Sequence, residues 1–141
     1  MAASPGPRPD IQSTVTVGHR EFRALLAEFR RTAVLVPLVD GDTLWTEGWG
    51  GVRWICAFSD EAALARFAYA RGAADREWTY CTMPGARLLD AVVPALGVPA
   101  GVALDAGSED GTLFPPVAGI VPDRAAVVDG RGRAVRNGGV A

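Results

Sequence analysis

The chain has 141 residues, 49% of them hydrophobic and 21% charged, and a net charge of −2 from 14 basic and 16 acidic side chains. This is the composition of a globular protein and the length of one domain, enough to bury roughly two thirds of the unfolded surface without metal or disulfide. The charge balance argues against a protein that coats nucleic acid. All 14 basic residues are Arg, so Schiff-base chemistry and a phosphate-loop Lys are excluded. The abundance of Ala, Gly, Pro and Arg points to a high-GC bacterial genome. No apolar run approaches the ~20 residues of a membrane span. Residues 1–10 carry Pro5, Pro7 and Pro9 without the apolar stretch of a secretory signal. Cys56 and Cys81 form no small-domain disulfide framework, so a cytoplasmic protein with reduced thiols is expected.

Residues 1–17 read as a flexible lead-in and residues 129–141, rich in Gly and Arg, as a flexible tail; the domain is expected over 18–128. Gly18 serves as a helix cap, with Phe22, Leu25, Leu26 and Phe29 at helical spacing over about 19–32. Ala33 to Val39 reads as a strand buried on both faces, ending in the turn Asp40-Gly41-Asp42. Thr43–Glu47 and Val52–Phe58 read as a hairpin around Gly48, Gly50 and Gly51. Ser59 is expected to cap a second helix whose stripe is Leu64, Phe67 and Ala68, ending before Gly72. After a strand at 77–82, Pro84 opens a third helix facing inward with Leu88, Leu89, Val92, Val93 and Leu96, which Pro94 should kink or end early. A strand at 101–105, an extended segment at 113–117 and a last short strand at 125–128 complete the chain. The order implies one α+β domain, a mixed sheet with about three helices packed on it.

Three segments, FRALLAEFRRTAVLVPL from Phe22 to Leu38, VRWICAFSDEAAL from Val52 to Leu64, and GARLLDAVVPALGVPAGVALDAGSEDGTLFPP from Gly85 to Pro116, resemble the SseB-like N-terminal domain in its actinobacterial, single-domain form. The resemblance covers roughly 20–125 and contains no catalytic signature. It implies an α+β domain. The family's name, taken from a serine-sensitivity phenotype, implies a link to amino-acid metabolism without assigning a reaction.

No motif in the chain carries chemistry. His19, the single His, stands at a helix start with no nucleophile elbow at any Ser. Cys56 and Cys81, with one His and no Cys-x-x-Cys, offer no zinc site; they read as two buried structural thiols, or as a redox pair if their strands are neighbours. The scattered carboxylates and glycines are explained by caps and turns. The aromatics are more informative. Trp54 and Phe58 read as core. Trp45 and Trp49 flank a Gly-rich turn beside Arg53, a composition that interfaces favour. Leu113-Phe114-Pro115-Pro116 reads either as a recognition segment or as a stiff loop over the core.

The expectation is a non-catalytic cytoplasmic protein-binding module, with Trp45, Trp49, Arg53 and Phe114 as binding residues and neither cofactor nor metal. Its partner would be a protein, neither nucleic acid nor membrane, with room for a homo-oligomer. A setting accessory to a secretion or toxin–immunity system is one expectation; the alternatives are a regulator or enzyme linked to serine metabolism and a small-ligand-binding domain.

Overall fold

The computed structural model describes residues 11–127, with side chains from residue 20 onward; the expected tail at 129–141 and the first ten residues lie outside that range. Helix α1 spans Ile11–Arg31 and so begins earlier than Gly18. Residues 11–17 contain neither Pro nor Gly, and nothing local stops a helix from running through them. Arg30 and Arg31 close it, where cations suit the helix dipole.

Strands β1 (Ala33–Val39) and β2 (Thr43–Leu44) form a hairpin over the three-residue turn at 40–42. Strands β3 (Thr46–Trp49) and β4 (Val52–Ala57) form another, closed by Gly50 and Gly51. Both glycines have positive φ, 63° and 80°, the type I′ geometry that matches strand twist in a two-residue hairpin. Helix α2 (Glu61–Ala70) follows. Its cap is Asp60, whose carboxylate accepts from the Ala63 N–H at 2.8 Å. Ser59, expected in that role, is instead held one residue earlier: its N–H and hydroxyl both donate to the Asp105 carboxylate at 2.8 Å.

Strand β5 (Tyr80–Pro84) runs directly into helix α3, residues 85–96. Pro94 neither ends nor breaks α3. A π-turn at Leu88–Val92, in which the Val93 N–H reaches back to the Leu88 carbonyl, widens the helix just before it. A wider turn takes in a ring that would otherwise press on the carbonyl four residues back. Gly97, at φ 72°, terminates α3 as expected. Strands β6 (Ala100–Leu104) and β7 (Thr112–Phe114) follow. Of the segment expected as a last strand at 125–128, Ala125 closes a short 3₁₀ turn, Asp123–Ala125, residues 126–127 join neither sheet, and Val128 lies outside the described residues.

The protein is one α+β domain, and its strands divide between two sheets where a single mixed one was expected. One is antiparallel, ordered β2-β1-β5; the other, ordered β3-β4-β6-β7, is mixed, with β4 and β6 parallel. They meet where Leu35 and Phe58 exchange both backbone hydrogen bonds at 2.8 Å. The chain crosses between them at Trp45, whose N–H donates to Pro37 in one sheet and whose carbonyl accepts from Cys56 in the other. This crossing splits the expected strand 43–47 in two.

Alternation along β1 and β4 sorts side chains into two cores. Val34, Val36, Ile55 and Ala57 pack with Phe29 of α1, with Leu88, Leu89 and Val93 of α3, and with Phe114. On the opposite face, Leu35, Cys56 and Phe58 pack with Leu64 and Phe67 of α2. Helices therefore cover both faces, and each buries most of the stripe expected of it; Leu25 of α1 and Leu96 of α3, expected inward, are exposed. Gly85 permits the closest approach: a Cβ there would meet the Phe29 ring at 2.7 Å and its carbonyl closer still.

Candidate surface at the tip of the β3–β4 hairpin

The four residues expected to bind fall into three environments. Phe114 is 1% exposed. It stacks on Phe29, with ring centroids 4.5 Å apart, and meets Phe22 at 5.6 Å. It is core, and its place in the expected surface is corrected. β7 passes directly over Gly101 of β6, where a Cβ would lie 2.5 Å from the Phe114 carbonyl, so the ring is drawn under the helices. Leu113, its outward neighbour, is exposed.

Trp45 is half-buried at the crossing between sheets. Its ring stacks on Trp78 at 5.0 Å and meets the edge of Phe67 at 6.3 Å. The Trp45 Nε1–H donates to Glu47 at 3.1 Å, and Glu47 pairs with Arg71 at 2.7 Å. The guanidiniums of Arg71 and Arg76 each lie 5.7 Å from the Trp45 centroid, within cation–π range. Trp45 is thus the centre of a clamp that ties α2 and the segment before β5 to the sheet junction. That Trp78, Arg71 and Arg76 meet Trp45 is not legible in the sequence, because these partners are distant along the chain and no local spacing signals the contact.

Trp49 and Arg53 do form an outward surface. Trp49, the last residue of β3, is 68% exposed. The ring stands 6.2 Å from Trp54, whose Nε1–H donates to the Trp49 carbonyl at 3.2 Å and so anchors the hairpin tip. Arg53 lies across the ladder from Gly48. With no side chain at Gly48 the guanidinium lies over that position, 4.0 Å from where a Cβ would be. Among the described residues no carboxylate pairs with Arg53. Its backbone N–H donates to Pro99 at 2.8 Å, which brings exposed Val98 alongside. Trp49, Arg53, Val98 and Pro99, with the hairpin glycines, line an open cleft of about 440 Å³.

The groups with chemical potential lie elsewhere. His19 is on α1, and its side chain lies outside the described set. Burial, then the nearby Glu47 carboxylate, pushes the Cys56 thiol up to about 12, so it stays protonated at neutral pH and is a poor nucleophile. Cys81 is half-buried and unpaired. The Tyr80 hydroxyl donates to Glu61, which raises its titration above the usual phenol range. Arg30 and Asp90 form a two-pronged ion pair at 2.6 and 3.1 Å that joins α1 to α3 and holds the Asp90 carboxyl below its usual range. No three His, Cys, Asp or Glu side chains among the described residues are grouped to hold a metal. No helix among them is long and apolar enough to cross a membrane.

These features define a small α+β domain whose two sheets share a junction and whose most exposed tryptophan among the described residues sits on a hairpin tip. The family model of the SseB protein N-terminal domain matches residues 14–118, from within α1 to just beyond β7, and the chain belongs to that family. No curated protein and no solved structure matches the chain.

Proposed function

We propose that the domain is a non-catalytic protein-binding module that engages its partner through Trp49 and Arg53. The observation that carries this reading is a Trp more than two thirds exposed on a hairpin that its own backbone and Trp54 hold rigid. A rigid exposed Trp beside a free Arg is the composition of an interface hot spot. It costs solvation in the free protein, and burial against a partner recovers that cost. The uncompensated Arg53 charge selects an acidic partner surface, with an apolar side chain to fill the cleft between Trp49 and Val98. The compartment consistent with two free thiols is the cytoplasm. A secretion or toxin–immunity setting fits a module of this kind.

The small-ligand reading draws on smaller cavities than the hairpin cleft, of which one, about 230 Å³ between α2 and Tyr80, is lined by Leu64, Trp78 and Glu61. It falls below the ~300–1,000 Å³ of ordinary ligand pockets. The enzyme reading, with its suggested link to serine metabolism, has no cluster of perturbed groups in a cleft among the described residues to support it.

The test is affinity purification from the native host with unaltered and Trp49→Ala proteins as parallel baits. A partner retained by the first should be lost by the second, with about 2 kcal/mol or more of affinity removed in a direct binding measurement. Arg53→Ala should slow association and flatten its salt dependence. Equal retention by both baits would refute the assignment.

A further inference from the structure

Among the described residues the longest of the four edge strands is β5, five residues that contain no charge and no bulge. Proteins ordinarily protect such an edge with charged side chains, bulges or cover; here only Pro84, at its end, does so. The direction of its free backbone groups follows from the ladder. Leu35 spends both its backbone groups on Phe58, so Thr82, its opposite number in β5, directs its N–H and C=O away from β1. Pro37, whose carbonyl accepts from Trp45, stands opposite Tyr80, which likewise points its groups outward. Among the described residues no backbone group beyond the sheet bonds to Tyr80 or Thr82.

The geometry points to a second copy of this chain as the occupant of that edge, paired antiparallel through β5 about a two-fold axis at Cys81. In this register Tyr80 of one copy and Thr82 of the other exchange both backbone hydrogen bonds, and the symmetric pair does the same. All outward groups of Tyr80 and Thr82 are then satisfied. Shifting the axis to Thr82 would set Tyr80 against Pro84, which has no N–H to give, and would leave the Tyr80 carbonyl unpaired.

The side chains agree with the chosen register. Tyr80 stands beside Thr82 of the other copy on one face, a favourable aromatic–β-branched neighbour. The uncharged strand sets no like charges opposite each other. The acidic residues before the strand, Asp75 and Glu77, approach the end of the other copy where Arg87 is exposed. Arg76 in the same lead-in is turned onto the Trp78 ring, 4.8 Å from its centroid, which leaves the acidic charge uncontested. The two Cys81 residues become a non-hydrogen-bonded pair with Cα atoms about 4.5 Å apart, within disulfide reach.

The full-length chain is the material for the test. Sedimentation equilibrium should show a dimer whose share rises with protein concentration. Brief oxidation with copper-phenanthroline should yield a covalent dimer on a non-reducing gel, absent from Cys81→Ser, since Cys56 is buried. Thr82→Pro removes one outward N–H per copy at a position where a free edge tolerates proline, and should weaken dimerisation about 30-fold. Trp49→Ala should leave the dimer intact, which separates this surface from the hairpin tip. A monomer at every concentration would refute the proposal. A dimer without the Cys81 cross-link, or one indifferent to Thr82→Pro, would refute it equally. Should Thr82→Pro fail to fold, the cross-link in the unaltered protein decides alone.

Discussion

Replacing Trp45 and Trp49 by alanine, one at a time, should separate two roles that their closeness in the sequence conceals. Trp49 is 68% exposed, so about a third of the residue is buried. A Trp carries up to about 250 Å², so roughly 80 Å² is at stake, worth at most about 2 kcal/mol at ~25 cal/mol per Å². Area bookkeeping overstates the loss because unfolded chains bury some surface too, and we expect about 1 kcal/mol. Trp45 differs in kind. Its removal deletes the stack on Trp78, the edge contact with Phe67, the hydrogen bond to Glu47 and the surface under two guanidiniums. It also leaves a gap where the chain crosses between sheets. The expected cost is that of a large aromatic lost from a core, about 3–5 kcal/mol, or a melting temperature lower by roughly 10–20 °C.

The assay is urea unfolding of each variant followed by circular dichroism, with partner binding measured on the same preparations. Trp49→Ala should keep its midpoint close to that of the unaltered protein and lose its partner. Trp45→Ala should shift the midpoint far down. Equal destabilisation by the two substitutions would refute the division of roles, as would a stable Trp45→Ala protein.

Gly85→Ala should cost at least as much as a badly overpacked core, about 3 kcal/mol, because Phe29 leaves no room for a methyl group; Gly51→Ala, strained by its positive φ yet meeting no neighbour, should cost only about 1–2 kcal/mol by the same urea assay. The Arg30–Asp90 pair holds the Asp90 pKa below its unfolded value. Its contribution, about 0–1 kcal/mol at this exposure, should be full above the ordinary carboxylate range and lost as pH falls through the folded pKa, so the stability gap between the unaltered protein and Asp90→Asn should close in acid. A thiol reagent at neutral pH should leave Cys56 unmodified until the protein unfolds, given its burial and raised titration.

The local parts of this fold were legible because they obey short-range rules. Phe22 and Phe29 mark the inner face of α1, Leu64 and Phe67 that of α2, and Gly50-Gly51 closes a hairpin by backbone geometry alone. The misreadings share one physical origin, a contact between residues far apart in the chain that overrides a local cue. Pro94 is a helix breaker by itself, yet a π-turn and the burial of Val93 against the sheet carry the helix through it. Ser59 is a good cap by itself, yet Asp105 claims both its donors from 46 residues away. Phe114 stands among prolines, where a stiff loop is expected, yet Gly101 makes the space that draws it inward.

The same distinction explains why Trp49 and Arg53 lie exposed while Trp45 and Phe114 do not. Trp49 and Arg53 owe their exposure to the hairpin tip, whose geometry is set within the segment from Gly48 to Arg53 itself. Trp45 owes its burial to the crossing between sheets, which no window of sequence around it encodes: its N–H is bound by Pro37, its carbonyl by Cys56 and its ring by Trp78. Spacing alone allows two Trp four positions apart to share a face of one strand. That inference fails when the strand is broken between them, and the break here falls at Trp45 itself, between Leu44 and Thr46. A surface assigned from alternation therefore holds only as far as the ladder continues, and in this chain it continues from Thr46 onward.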